Sequence, residues 1–270
     1  MSGHFRAFSF VDRITSVQAG SRVRGTYQIP PGIGVFYRPL IAEAVGQLAA
    51  WASMAALDFK VRPVAGIAAS IELLAEVHPG QTLELAADIE SVDNEAVSYC
   101  GLALVEGRPV IKLNHCVGPM LPQEDFDDTQ AVQNRYALLC DGGATPGAYG
   151  GVPPVDFENV TSEPGQWIRA NLPIPRAALF FDDHFARRPV FPGTLFMQKI
   201  SNSRRTWQKM FHPPTAARGW RESSPMGNSA PSIRRATIWI LKPRSRSAKA
   251  ILSSSPSRRA KPDGSPAVPK

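Results

Sequence analysis

The chain is poor in cysteine. Three cysteines in 270 residues (Cys100, Cys116, Cys140) leave no basis for a disulfide framework and fit a reducing, cytoplasmic setting. No Cys-x-x-Cys pair and no Cys/His grouping has metal-ligand spacing, so no metal is expected. No run of eighteen apolar residues occurs. The nearest stretch, Leu40 to Leu57, carries Glu43 and Gln47. The first ten residues, MSGHFRAFSF, contain no apolar secretory core. Neither a membrane span nor a signal segment is therefore expected.

Charge is unevenly spread. Residues 1–202 hold 15 Lys/Arg against 21 Asp/Glu, a net −6, whereas residues 203–270 hold 15 against 2, a net +13. An acidic body thus carries a basic tail, and each needs its own explanation. The overall hydrophobic content of 43% suffices for one or two packed cores.

Residues 7–29 read as two short strands about the turn Gln18-Ala19-Gly20-Ser21, ended by Pro30-Pro31-Gly32. Residues 39–57 have helical composition and are apolar almost all round, as in a helix buried on most faces. Leu48, Ala44 and Trp51 are expected to meet a sheet. The period then becomes that of strands: Ile67 to Val77, Thr82 to Ile89, Ala96 to Glu106 and Arg108 to Val117, with turns at His78–Gln81 and Glu106-Gly107. Residues 121–150 resemble a linker with a helical stretch near Ala131 to Leu139. The opening pattern then returns. Gly20, Val23-Arg24 and Ile29-Pro30 reappear as Gly165, Ile168-Arg169 and Ile174-Pro175, an offset of 145, which argues for two copies of one unit.

Residues 180–198 read FFDDHFARRPVFPGTLFMQ. The pattern His184-Phe185-x-x-Arg188-Pro189-Val190-x-Pro192-Gly193-x-Leu195 resembles the active-site motif of hot-dog-fold 3-hydroxyacyl-acyl carrier protein dehydratases. In that family a His works with a Glu or Asp fourteen positions later, supplied by the other hot dog of a pair. Here position 198 is Gln198. The first copy's Glu43-Ala44-Val45-Gly46-Gln47 resembles the family's acid-bearing helix, yet fourteen residues before Glu43 stands Ile29, and Tyr37-Arg38 replace the Pro-Gly. Each copy lacks one half of the pair, and the losses are complementary. The resemblance implies one composite site of His184 and Glu43, with Ile29 and Gln198 forming a dead one.

It also implies an α+β hot-dog fold, a central helix wrapped by an antiparallel sheet, in tandem copies of which the second is incomplete. The expected organisation is a first hot dog over 1–122, a linker over 123–150, a partial second hot dog over 151–202 and a basic tail over 203–270. The activity implied is that of a lyase, dehydrating 3-hydroxyacyl thioesters to 2-enoyl thioesters in fatty-acid or polyketide-type synthesis. Such a reaction removes a proton from C2 and expels hydroxide from C3. An imidazole suits the first task near neutral pH. A carboxyl group on an apolar helix, kept partly protonated by burial, suits the second. By resemblance, the backbone of Gly193 stabilises the thioester oxyanion, and Gln47, Pro192 and Phe185 complete the substrate site. No cofactor is implied. The substrate would ride on the phosphopantetheine of acyl carrier protein or on coenzyme A, and acyl carrier protein is the expected partner, with Arg187 and Arg188 as candidate contacts. A homodimer or a separate hot-dog partner is compatible with the pattern; no membrane or nucleic-acid partner is expected. His78, His115, Cys100 and Cys116 read as structural.

Two alternatives stand beside the lyase: a hot-dog thioesterase using a carboxylate or His to activate water, and a catalytically impaired pseudoenzyme or truncated gene product. The last draws on the tail. After Asn202 the pattern stops inside a helix, and residues 203–270 hold 12 Ser and 9 Pro. Only Ala236 to Leu241 resembles a strand. This composition predicts disorder and resembles translation in a shifted frame.

Overall fold

Helix α1 spans Arg38–Ala56. It begins where Tyr37 is extended (φ −76°, ψ 141°) and Pro39 falls in the first turn, a position that needs no backbone N–H. No side chain caps it. Its stability comes from burial of Leu40, Ile41, Ala44, Val45, Leu48, Ala49 and Ala52. The computed structural model that shows this describes residues 5–64, 66–146, 149–151, 157–163, 167–198, 235–241 and 250–253.

Seven antiparallel strands wrap this helix: β1 (Arg13–Gln18), β2 (Arg22–Gln28), β3 (Val61–Pro63), β4 (Ile67–Leu73), β5 (Thr82–Val92), β6 (Ala96–Val105) and β7 (Arg108–Pro122). Their order is β1-β2-β5-β6-β7, with β3 and β4 both pairing the far edge of β7. This is a hot-dog fold. Strand β5 shows why one face meets the helix: Leu83, Leu85, Ala87 and Ile89 alternate inward. Between β6 and β7 the two-residue turn Glu106-Gly107 has both φ angles positive (50° and 73°), the conformation a tight hairpin requires.

The helix lies very close to the sheet. A Cβ on Gly101 would stand 2.3 Å from Val45 Cγ1, and one on Gly25 would stand 2.9 Å from Leu48 Cδ1. Trp51 packs against the edge of this core and also beside Phe5 and Tyr136, with ring centroids 6.2 Å away in each case. Helix α1 is not buried on all sides: Glu43, Gly46, Gln47 and Trp51 are half-buried. The helix is long enough to turn a second face away from its sheet, and other segments cover that face only in part.

The segment after β7 contains the helical stretch expected near Ala131 to Leu139. A single 3-10 turn (Gln123–Asp125) leads to helix α2 (Thr129–Cys140), capped by Asp128 accepting from the Ala131 N–H at 2.8 Å. Phe126, Val132, Leu139 and Tyr149 are buried.

The chain divides into two compact units, Met1–Pro154 with Ala177–Gln208, and Val155–Arg176 with Lys209–Lys270. The segment expected as the partial second hot dog is therefore shared between them. In the second unit, β8 (Glu158–Glu163), β9 (Trp167–Pro173), β10 (Arg235–Leu241) and β11 (Ala250–Ser253) make an antiparallel sheet in the order β11-β10-β9-β8. The repeat is exact in register. Shifting β1 and β2 by 145 residues gives β8 and β9, and the pairs Arg13↔Thr26 and Val17↔Val23 become Glu158↔Asn171 and Ser162↔Ile168. The expected tail strand is present as β10, and β11 adds a second ordered piece to a region expected to be disordered. The rest of that expectation, over 203–234, 242–249 and 254–270, lies outside the described residues. Among the described residues, no helix is long and apolar enough to cross a membrane.

Candidate active site

Glu43 is the sixth residue of α1. Both its carboxylate oxygens accept hydrogen bonds. Gln47, one turn on, donates from Nε2 to Oε1 at 3.1 Å, and the Thr194 hydroxyl donates to Oε2 at 2.8 Å. Thr194 follows Gly193, where a third helix opens after Pro192; the Leu195 and Phe196 N–H groups donate to the Pro192 carbonyl at 3.2 and 3.3 Å. Gln198 is the sixth residue from that opening, the place that Glu43 holds in α1. A Cβ on Gly193 would meet nothing within 4 Å, so the backbone is open there. Pro192 is buried.

His184 stands just after a 3-10 turn (Leu179–Asp182) and is 8% exposed. Its Nδ1 lies 2.8 Å from the Val190 carbonyl oxygen. A carbonyl can only accept, so Nδ1 carries the hydrogen and Nε2 of the neutral ring keeps its lone pair. The ring is flanked by aromatics. Phe185 stacks on it, with centroids 4.3 Å apart and planes at 20°, and Phe8 meets it edge-on at 5.7 Å. The guanidinium of Arg62 lies 3.9 Å from the centre of the Phe185 ring. At such spacings imidazole and guanidinium occupy opposite faces of Phe185. Burial lowers the Arg62 pKa to about 10 against the pull of Asp127, 3.8 Å away.

The sequence-predicted residues meet through the N-terminal segment. The Gln47 amide donates to the Phe8 carbonyl at 3.0 Å and accepts from the Phe10 N–H at 2.8 Å. Phe8, whose ring touches His184, thus also touches the residue holding Glu43. Ile29, the residue in the place of the first copy's missing His, is wholly buried in the core. Arg187 and Arg188 are both exposed, and each also contacts the chain. Arg187 donates to the Glu124 carbonyl at 3.1 Å and to Asp128 Oδ2 at 3.2 Å, and Arg188 lies 5.3 Å from the Phe126 ring centre. His78 stays in its turn, its N–H bonded to Gln81. Cys116 is buried, but Cys100 is half-buried and donates its thiol to Glu90, which also meets His115 at 2.9 Å. Among the described residues no group of three or more His, Cys, Asp or Glu side chains is arranged to hold a metal ion.

Sequence reading missed Thr194, Arg62, Phe8 and Asp183. Thr194 was legible as the residue beside Gly193 within the motif. The other three carry no local signal, because their roles depend on contacts across the chain.

No protein-family model matches the sequence, and no curated protein does. Solved structures similar to it include the fluoroacetyl-CoA thioesterase FlK, with 16% identity and a TM-score of 0.34, covering 40% of this chain and 91% of that one. The Escherichia coli PaaI protein from the phenylacetic acid degradation operon shows 15% identity and a TM-score of 0.32, covering 40% and 79%. A hypothetical thioesterase protein with coenzyme A from Streptococcus pneumoniae shows 13% and 0.32, covering 41% and 86%. Likeness at this level bears on no question of activity.

Proposed function

We propose that the chain dehydrates 3-hydroxyacyl thioesters to 2-enoyl thioesters. The observation that carries this reading is the Nδ1–H of His184 on the Val190 carbonyl, which leaves Nε2 free as a base. Nε2 takes the C2 proton, the electron pair forms the C2–C3 double bond, and the C3–O bond breaks. Hydroxide leaves as water with the proton of Glu43 in its acid form. Proton transfer from His184 to Glu43 resets the site. Thr194 serves both states of Glu43, since a hydroxyl donates to a carboxylate and accepts from a carboxylic acid. The Gly193 N–H faces the thioester oxygen, where negative charge develops. The acyl group arrives on the phosphopantetheine of acyl carrier protein or on coenzyme A.

A second reading is thioester hydrolysis. It is favoured by one observation: both Glu43 oxygens accept, one of them from a hydroxyl, as in a carboxylate that activates a nucleophile. Offering one chain length as 3-hydroxyacyl and as saturated acyl thioester separates the two. Enoyl absorbance with no free thiol supports dehydration; thiol release from the saturated ester, with no enoyl product, replaces it with hydrolysis.

A further inference from the structure

Asp183 precedes the proposed base, is 8% exposed, and is a carboxylate for which the proposed reaction has no use. A buried charge is costly unless hydrogen bonds replace its hydration. Here the N-terminal segment supplies them. The Phe5 N–H donates to Oδ1, the Phe8 N–H to Oδ2 at 2.6 Å and the Ser9 hydroxyl to Oδ2 at 3.2 Å. The charge of Asp183 is also felt by Arg135 of α2, which it stabilises in the charged form against burial. The same few residues then reach the proposed acid. The Phe8 carbonyl accepts from Gln47 Nε2 at 3.0 Å, the Phe10 N–H donates to Gln47 Oε1 at 2.8 Å, and Gln47 Nε2 lies 3.1 Å from Glu43 Oε1.

The continuous path is Asp183, Phe8, Gln47, Glu43. It begins one residue from His184, whose ring also packs on Phe8. His184 and Glu43 are 141 positions apart in sequence and sit on separate elements. Two such groups need a common reference if both are to reach one C2–C3 bond. We infer that Asp183 is a positioning residue: it clamps the segment Phe5–Phe10 as a strap that sets His184 relative to Glu43. The inference rests on the proposed role of that pair. A carboxylate is suited to this task because it is acceptor-only and answers three donors at once. Asparagine has nearly the same shape but turns an N–H2 toward backbone N–H groups.

The test is Asp183→Asn in the full chain, with Ser9→Ala as a milder variant that removes one donor, and Glu76→Gln, an exposed surface change, as control. Three quantities are read: turnover of 3-hydroxybutyryl-coenzyme A, deuterium exchange at the Phe8 and Phe10 amides, and the ring nitrogen shifts of His184 by NMR. Asp183→Asn should speed exchange at both amides and move the His184 ring nitrogens off the Nδ1–H pattern. It should lower kcat about ten- to a hundredfold with KM nearly constant, because about 1 Å of misplacement costs this much. Ser9→Ala should move all three readouts the same way by less. Faster exchange with an unchanged His184 ring and unchanged kcat would overturn the inference, since the strap would then be loosened without reaching the base. If the wild-type chain shows no turnover, the dehydratase reading falls, and the ring shifts decide alone. Movement in Asp183→Asn sustains the strap; no movement removes it. If Asp183→Asn does not fold, Ser9→Ala carries the same comparison.

Discussion

The two copies agree in their hairpins and part company at their helices. An offset of 145 residues maps β1 and β2 onto β8 and β9 with the same pairs. The helices are related by 155, Arg38 answering Gly193 and Glu43 answering Gln198. The difference is ten residues between hairpin and helix, and in the second copy this longer connection carries the 3-10 turn, Asp183 and His184. A hairpin is specified by local alternation and a turn, so it survives duplication unchanged. The connection is free to lengthen, and the added length is where Asp183 and His184 sit. The first copy kept the short connection, with Ile29 sealed in the core and Glu43 on the helix. Glu43 thus lies on a helix of the first copy, and His184 lies beside a 3-10 turn of the second.

The comparison breaks most sharply at the pair itself. His184→Ala and Glu43→Gln should each lower dehydration about 10²- to 10⁴-fold. The double variant should be little worse than either single one, because both serve one transition state. Gln198→Ala should leave the chemical step nearly untouched. Turnover of a 3-hydroxyacyl thioester by the four proteins checks this, and losses that multiply would separate the two residues.

The next effect is on the first copy's helix and sheet. Leu48→Ala should cost about 2–5 kcal/mol by leaving a cavity under α1. Gly101→Ala should cost about 1–3 kcal/mol, because its Cβ would press on Val45 Cγ1. Denaturant unfolding followed by tryptophan fluorescence reports both.

Smaller still is the effect of Asp12, whose burial raises its pKa to about 6, with the Gln28 N–H and Arg135 pulling the other way. Between its ordinary value of 3.8 and about 6 the folded chain binds the extra proton. This contribution to stability is therefore full below pH 4 and is lost as pH rises through 6. Asp12→Asn keeps an acceptor for the Gln28 N–H, 2.7 Å away in the parent. It should flatten that slope and be about 1–2 kcal/mol more stable than the parent at pH 7. Melting temperatures of the two proteins between pH 4 and 8 test the sign.

The smallest effect is expected at Arg38–Glu76, an exposed ion pair at 2.7 Å. Glu76→Gln should change stability by less than about 0.5 kcal/mol, and added salt should erase the difference.

Much of the fold was legible. Six of the seven strands of the first sheet followed from alternation and turns; β3, three residues long, was too short to show a period. Helix α1 was clear from its composition, but the side on which Trp51 packs was not, since an almost uniformly apolar helix leaves its orientation undefined. The helical stretch expected near Ala131 to Leu139 is α2, but that its Val132 and Leu139 pack inward was not legible. At the site, His184, Glu43, Gln47 and Gly193 were legible as a motif with complementary gaps. The place of Thr194 beside Gly193 was legible too, but its bond to Glu43 and the contacts of Phe185 with His184 and Arg62 were not.

The sequence by itself determined what is local or periodic: two copies, their hairpins, the apolar helix, Glu43 and His184 in different halves, and an abrupt change of composition after Asn202. Tertiary structure decided which distant groups share an environment. It placed Thr194 on Glu43, aimed Nδ1 of His184 at Val190, laid Arg62 over Phe185 and gave Asp183 its three donors. None of these could be read along the chain, because a hydrogen bond needs its partners within about 3 Å, and only the packing of helix on sheet brings such residues that close.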